Sequence, residues 1–277
     1  MLTRFVSFCC CNTFRYVKNA RYFSTSFQMS QKNLAIFDFD HTIIDLNSDI
    51  VIRDLIPTDD IPNNVKEQYK SDGWTAYMQG IFKLLHARKV GESVMKEIIE
   101  GILPLNGMDG LLMCLKRDYN TDSIIVSDSN SYFINTWLKK YKLESCVDGV
   151  FTNPAHFDEN GLLNIEMYHL QTDCNLSTKN LCKGRIMEEY LEAQEKNGVI
   201  YDKIIYFGDG FNDICPILRL KKSDLACVRE NYKCASSIRS IKQHKPIDSS
   251  GKIYYIKCNV FYFNCGDDIL NHLKVFL

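Results

Sequence analysis

The sequence predicts a doubly wound parallel α/β sheet carrying a small helical insertion. Three observations lead there. Apolar runs of strand length recur along the chain, and each ends in a polar loop followed by a helical pattern, an alternation that makes right-handed parallel crossovers the default. The run 34–37, Leu-Ala-Ile-Phe, has no polar residue on either face, as suits a strand in the middle of a parallel sheet. From 47 to 103 the apolar spacing turns helical instead.

The first strand, 34–37, delivers Asp38 and Asp40, spaced i, i+2 and followed by Thr42. In the insertion, Ala76, Phe82 or Leu84, Leu85, Val94, Met95, Ile98, Ile99 and Ile102 recur at helical spacing, with Pro57 and Pro62 punctuating its entry and Pro104 and Asn106-Gly107 closing it. Leu111, Leu112 and Leu115 begin a helix of the main domain. A second strand, 123–126, ends at Ser127-Asp128-Ser129-Asn130, and Phe133, Ile134, Trp137 and Leu138 make the next amphipathic helix. A third strand is expected over 147–152, and Asp158-Glu-Asn160-Gly161 reads as a hairpin turn outside the parallel core. A helix over 184–193 follows Lys183. Strand 204–207 ends at Gly208-Asp209-Gly210-Phe-Asn212-Asp213, and Ile214, Ile217 and Leu218 lie on the helix after it, with Pro216 in its first turn. Strand 225–228, a short strand over 254–257 and a closing helix over 267–276 complete the chain. The domains expected are a leader (1–31), an α/β core (33–46 and 104–277) and a helical cap (47–103).

The 277 residues suffice for one sizeable α/β core plus an insertion. A formal net charge of -1 gives no electrostatic case for nucleic acid or an anionic membrane as a partner. No run of about 18 apolar residues proposes a transmembrane helix. Twelve cysteines are scattered through apolar runs, which reads as free thiols in a reducing compartment rather than a disulfide framework. Residues 1–31 hold Arg4, Arg15, Lys18 and Arg21 and no acidic residue, the composition of a mitochondrial transit segment, while a start at Met29 would give a cytoplasmic form. Nothing in the composition specifies an oligomeric state.

Four loops thus converge at the carboxyl ends of the strands, bringing Asp38 and Asp40, Ser127, Lys183, and Asp209 and Asp213. Crowded carboxylates repel and are tolerated chiefly around a hard divalent cation, and magnesium fits this oxygen set. A lysine and a serine beside such a site need a shared anion, which a phosphate group supplies. Asp38 is then free to attack phosphorus as a nucleophile, and Asp40 to protonate the leaving oxygen and later activate water. Taken singly each feature has a plain alternative: Asp-x-Asp often merely ends a strand, Ser127 to Asn130 reads as a helix cap, and most lysines are solvated. Their order at successive strand ends favours the catalytic reading.

Asp38-x-Asp40-x-Thr42, Ser127, Lys183 and Gly208-Asp209-Gly-x-x-Asp213 resemble the four motifs of the haloacid dehalogenase-like phosphatases. Within them, Asn47-Ser48-Asp49, Ser127-Asp128-x-Asn130, Cys182-Lys183 and Gly208-Asp-Gly-x-Asn-Asp-x-Cys-Pro216 are similar to the phosphoethanolamine/phosphocholine phosphatase group and its pyridoxal phosphate phosphatase relatives. The resemblance spans residues 33 to 277. It implies a magnesium ion held by Asp38, the Asp40 backbone carbonyl and Asp209, phosphate bound by Ser127 and Lys183, and Asp213 orienting the metal's surroundings and Lys183. It also implies that Asp49 and Asp128 face the rest of the substrate, where two carboxylates would attract an ammonium or trimethylammonium group; the alternative for Asp49 is a helix cap. His41, at a position that varies in the group, is expected to be an exposed loop residue without a catalytic role. Relatives often carry a further cysteine before the lysine, where this chain has Ser177 between Cys174 and Cys182. Two thiols are too few for a structural zinc site unless His169 or others join, so none is expected.

The expected activity is magnesium-dependent hydrolysis of a small phosphorylated metabolite, such as phosphoethanolamine, phosphocholine or pyridoxal phosphate, through an aspartyl-phosphate. A phosphotransferase or a pyrophosphatase would share these motifs. A haloacid dehalogenase would dispense with Asp40 and magnesium, and a non-catalytic phosphate-ligand binding protein would be expected to lose some of the set.

Overall fold

The computed structural model describes residues 32–71 and 73–277; the segment 1–31 read as a leader lies outside the described residues. Strand β1 (Lys32–Phe37) leads into four helices, α1 (Ser48–Arg53), α2 (Asn63–Ser71), α3 (Trp74–Ala87) and α4 (Glu92–Gly101). There follow α5 (Met108–Asp118), β2 (Thr121–Asn130), α6 (Ser131–Tyr141), β3 (Gly149–Asn153) and an antiparallel hairpin of β4 (Ala155–Phe157) and β5 (Leu163–Ile165). The chain then runs through α7 (Lys183–Lys196), β6 (Tyr201–Gly208), the one-turn α8 (Ile214–Ile217), β7 (Leu225–Arg229), α9 (Lys233–Lys242), β8 (Asn259–Phe263) and α10 (Gly266–Phe276).

The six-stranded sheet is parallel throughout, in the order β3-β2-β1-β6-β7-β8. The chain steps from β1 to β2 and β3 on one side, then returns to set β6 on the other side of β1. That reversal opens a crevice at the carboxyl end of β1, where ligands bind in open α/β sheets. Side-chain alternation along β1 feeds a separate apolar core on each face of the sheet. Leu34 and Ile36 enter one, Ala35 and Phe37 the other, and all four are fully buried. Phe37 stacks on Phe207 of β6 with ring centroids 4.1 Å apart.

The helices of 48–101 share the core on the Phe37 side. Ile52, Met78, Ile81, Phe82, Leu85, Met95 and Ile99 form one continuous cluster with Phe133, Ile134 and Trp137 of α6. Val94, expected to face inward, is exposed; the buried stripe of α4 runs through Met95 and Ile99 instead. The Ile102 carbonyl accepts from Trp137 Nε1 and from the Tyr141 hydroxyl, each at 2.8 Å, fixing the return of the chain to the core. On its far side α3 is tied to the hairpin: Gln79 Oε1 accepts from Ile165 N at 2.8 Å and Gln79 Nε2 donates to Leu163 O at 3.3 Å.

The doubly wound fold expected from the sequence is present, with four local differences. Strand β2 extends beyond 126 because Thr152 and Asn153 pick up the Asp128 and Ser129 carbonyls across a register shift. Segment 254–257 is not a strand; the edge strand is β8, whose pairing with β7 begins at Asn259↔Leu225. Helix α8 stops after a single turn, preceded by a 3₁₀ turn at Phe211–Asp213. Helix α9 had no sequence signal because its buried face is made of small residues, Cys234, Ala235 and Ser237, beside Ile238 and Ile241. Truncating the ring at the centre of the sheet, Phe207→Ala, is expected to destabilise the fold by about 3–5 kcal/mol, read as a lower urea midpoint.

Candidate active site

At the carboxyl end of β1 the chain turns sharply, the Phe39 carbonyl accepting from the amides of Thr42, Ile43 and Ile44. The turn presents Asp38 and Asp40 to a cavity of about 530 Å³. Six of the sequence-predicted residues line it: Asp38, Asp40, Asp49, Ser127, Asp128 and Asp209. Lys183 and Asp213 lie just beneath its floor, with fully buried side chains.

The floor is an ion-pair triad. The Lys183 ammonium, on the first residue of α7, is 2.7 Å from Asp38 Oδ2 and 2.8 Å from Asp213 Oδ1. Burial works against its charge, yet Asp213 and Asp38 together raise its pKa above the ordinary lysine value. Every acceptor on Asp213 is used: Oδ1 also accepts from the Tyr206 hydroxyl at 2.7 Å, and Oδ2 accepts from the amides of Asp209 and Gly210 at 2.9 and 2.7 Å. Asp213 therefore ties the 208–210 loop to Lys183. Glycine at 208 is required by this closeness, since a Cβ there would stand 2.4 Å from the Asp213 carboxyl carbon.

Carboxylate oxygens of Asp38, Asp209 and Asp213 lie within 4.8 Å of one another, a cluster of the size that holds a metal ion. With Asp213 saturated, Asp38 and Asp209 are the two carboxylates left to bind it. Asp209 Oδ1 also accepts from Thr42 Oγ1 at 3.4 Å. Burial, then the neighbouring carboxylates, push Asp209 up to about 8, and burial opposed by Lys183 leaves Asp38 at about 7. Such crowding is relieved by a divalent cation. Asp40 accepts from Ser48 N at 2.8 Å, and burial and Asp49 raise it well above the carboxylate range.

On the wall, Asp49 is buried in the first turn of α1, where Trp74 Nε1 donates to Oδ2 at 2.7 Å and Asn130 Nδ2 to Oδ1 at 3.4 Å. The helix cap is Asn47, whose side chain accepts from Ile50 N, so capping does not explain Asp49. Burial lifts it to about 7. Asp128 Oδ2 accepts from Asn212 and Thr178, while its Oδ1 is buried without a partner. Asn130 is the cap of α6, accepting from Phe133 N, and Ser127 instead accepts from Ser129 N at 3.2 Å. His41 differs from expectation. It is half-buried with a left-handed backbone (φ 55°), its carbonyl accepts from Arg229 at 2.6 Å, and its ring packs on Tyr232.

Sequence reasoning missed Tyr69, Trp74, Thr178 and Asn212, all in this wall or bonded to it. Trp74 follows Gly73, whose positive φ of 97° marks a sharp turn between α2 and α3; a tryptophan at such a turn was the available signal.

Residues 33–277 match a family model described as Putative Phosphatase. The chain is 37% identical over 245 residues to the pyridoxal phosphate phosphatase PHOSPHO2 of Mus musculus, covering 88% of this chain and 98% of that protein. It is 30% identical over 220 residues to the phosphoethanolamine/phosphocholine phosphatase of Homo sapiens, covering 79% and 82% of the two chains. Among solved structures, a substrate-bound phosphoserine phosphatase aligns with a TM-score of 0.50 at 15% identity, over 77% of this chain and 98% of that one. A haloacid dehalogenase-family hydrolase from Salmonella enterica serovar Typhi also aligns at 0.50 and 15%, over 74% and 64%. At these identities the structural likeness speaks to the fold alone.

The carboxylates set a pH dependence for the metal-free protein. Asp38, Asp49 and Asp209 have folded-state pKa values raised from 3.8 to about 7, 7 and 8, so the folded chain binds protons that the unfolded chain releases. Their contribution to stability is complete below 3.8 and is lost as pH rises through those values. The thermal midpoint without metal should therefore fall from mildly acidic to mildly alkaline pH, and a saturating divalent cation should flatten that slope.

Proposed function

This chain belongs to the Putative Phosphatase family and is a phosphatase, and from that premise we propose that it hydrolyses small phosphomonoesters with magnesium through a phosphoryl group carried on Asp38. The observation that carries this reading is the buried Lys183 ammonium 2.7 Å from Asp38 at the floor of a carboxylate-lined cavity. It opposes the rise that burial imposes on the Asp38 pKa and leaves a positive charge beneath the incoming phosphate. Asp38, Asp209 and the Asp40 backbone carbonyl would hold the magnesium ion. When bound, magnesium neutralises charge that grows on the phosphoryl oxygens.

In the first step Asp38 attacks phosphorus and the ester P–O bond breaks. Asp40, protonated because burial and Asp49 raise its pKa, gives its proton to the leaving oxygen. In the second, Asp40 takes a proton from water, whose oxygen attacks the phosphoryl group; the bond to Asp38 breaks and phosphate leaves. Ser127 and Lys183 bind the phosphoryl oxygens, and Asp213 fixes Lys183. Helices α1 to α4 act as the cap that narrows the cavity and keeps bulk water from the reacting bond.

For the substrate, the wall supports a cationic or aromatic group of modest size. Asp49 and the unpartnered Asp128 Oδ1 offer negative charge, and Trp74 and Tyr69 offer ring faces. Phosphoethanolamine, phosphocholine and pyridoxal phosphate satisfy this wall.

Phosphate release from those three esters, pyrophosphate and glycerol phosphate tests the reading. The three named esters should be preferred, and chelation should abolish turnover. Asp38→Asn should lower kcat by at least about a thousandfold, as removal of a covalent nucleophile does; near-normal turnover by that variant would overturn the nucleophile assignment. Asp49→Asn should reduce kcat/KM for the cationic esters roughly tenfold, equivalent to ~1.4 kcal/mol, and leave glycerol phosphate unaffected. An equal loss on every ester would remove Asp49 from the substrate wall.

A further inference from the structure

Behind the phosphate floor, on the side away from the cavity, three thiols from three distant segments meet. Cys174 lies in the loop after β5, Cys182 is the N-cap of α7 directly before Lys183, and Cys215 is on α8, two residues past Asp213. Cys174 Sγ is 3.4 Å and Cys182 Sγ 3.6 Å from Cys215 Sγ, and all three sulfurs lie within 4.8 Å of one another. Sulfurs bound to one tetrahedral zinc at ~2.3 Å are separated by roughly 3.8 Å. The triangle is thus nearly at the spacing that a zinc ion requires.

The surroundings are built to that spacing. Ser177 Oγ is buried and turned toward the Cys182 sulfur. Gly184 leaves the room that Cys215 occupies, since a Cβ there would stand 2.7 Å from its sulfur and equally close to Arg219 Nε. Arg219 brings positive charge to a group that would carry three thiolates. His169 does not act as the missing ligand through Nε2, which accepts from Cys182 N at 3.0 Å and so steadies that cysteine. The loop is held by scattered hydrogen bonds rather than by a ladder, among them His169 N to Asn180 O, Asn180 Nδ2 to Asn153 Oδ1 and Thr178 Oγ1 to Asp128 Oδ2. Residues 166–182 contain no helix or ladder strand, and Gln171 alone gathers Cys174, Ser177 and Thr178 through their backbones. A second cavity, about 390 Å³ and lined by Cys174, Cys215 and Arg219, gives an approach from solvent.

We propose that Cys174, Cys182 and Cys215 hold a structural zinc ion, with its fourth position on the Ser177 side, separate from the magnesium site. The expectation of no zinc site rested on two thiols near Lys183; folding adds the third from α8. Soft thiolates favour zinc over magnesium, so the two sites sort their metals by ligand chemistry. The ion would clamp the segment that presents Lys183 to the segment that presents Asp213.

The test is metal analysis and cobalt spectroscopy on the full chain, purified under reducing conditions in magnesium buffer. About one zinc per chain is expected. Replacement by cobalt should give a thiolate-to-cobalt charge-transfer band and the visible bands of a tetrahedral ion, neither of which oxygen ligands at Asp38 and Asp209 would produce. Cys215→Ser should lose both signals, whereas Asp209→Asn should keep them. Ser177→Cys, which adds a fourth thiol, should slow zinc transfer to a competing chelator, and this arm stands even where Cys215→Ser fails to fold. A wild-type protein that takes up neither zinc nor cobalt at the thiols, or that joins Cys215 to Cys174 or Cys182 in a disulfide when purified without reductant, would overturn the proposal.

Discussion

The structure depends on keeping one ammonium group out of water. A buried lysine is destabilising by several kcal/mol unless its charge is met by well-placed partners. Lys183 meets two, and Asp213, the more deeply placed, is itself held by four hydrogen bonds. Those bonds explain choices scattered through the chain: a tyrosine within the buried 204–207 stretch of β6, a glycine at 208, and an α7 that begins at the lysine itself. Removing Lys183 would leave two buried carboxylates facing each other, and removing Asp213 would leave the Tyr206 hydroxyl and the amides of Asp209 and Gly210 without their acceptor. The arrangement thus couples fold stability to the geometry of the phosphate floor.

Most of the sheet was legible because its strands are buried on both faces, and a run such as Leu34 to Phe37 admits few other readings. The floor was legible for a related reason: charged residues at the ends of buried strands are conspicuous. What the sequence hid was tertiary. Trp74 and Asn212 reach the cavity only because α3 and the 208–213 loop are brought there by packing, and neither lies in a run with a period of its own. Strand β8 was misplaced because Tyr-Tyr-Ile at 254–256 is as strand-like as Val-Phe-Tyr at 260–262, and the choice belongs to register with β7. The small-residue face of α9 left almost no periodic signal. Asp49 shows how structure narrows alternatives, since Asn47 already satisfies the helix end that Asp49 was a candidate to cap.

The cavity divides its chemistry by depth. Its floor gathers a lysine and hard oxygen donors suited to a phosphoryl group and a small divalent cation. Its wall combines indole and phenol rings with carboxylates of Asp49 and Asp128. The wall comes partly from the helical insertion and partly from the end of β2, so in the proposed mechanism group selection and phosphoryl chemistry fall to different segments. Substitutions in α1 and α3 can alter which ester is accepted without disturbing the Lys183 triad.

The Gln79 amide gives the insertion two unlike margins. Toward the hairpin, one neutral side chain makes a paired bond with the backbone of β5, and shearing that margin would forfeit both bonds together. Toward the 174–180 loop, the Lys179 ammonium makes an exposed crossing to the Ser71 carbonyl at 2.9 Å. A long cationic tether in water is readily exchanged for solvent. The two margins accordingly differ in kind, one a paired bond of a neutral amide and the other an exposed cationic tether, and it is the tethered margin that borders Tyr69, Trp74 and Thr178 of the cavity wall.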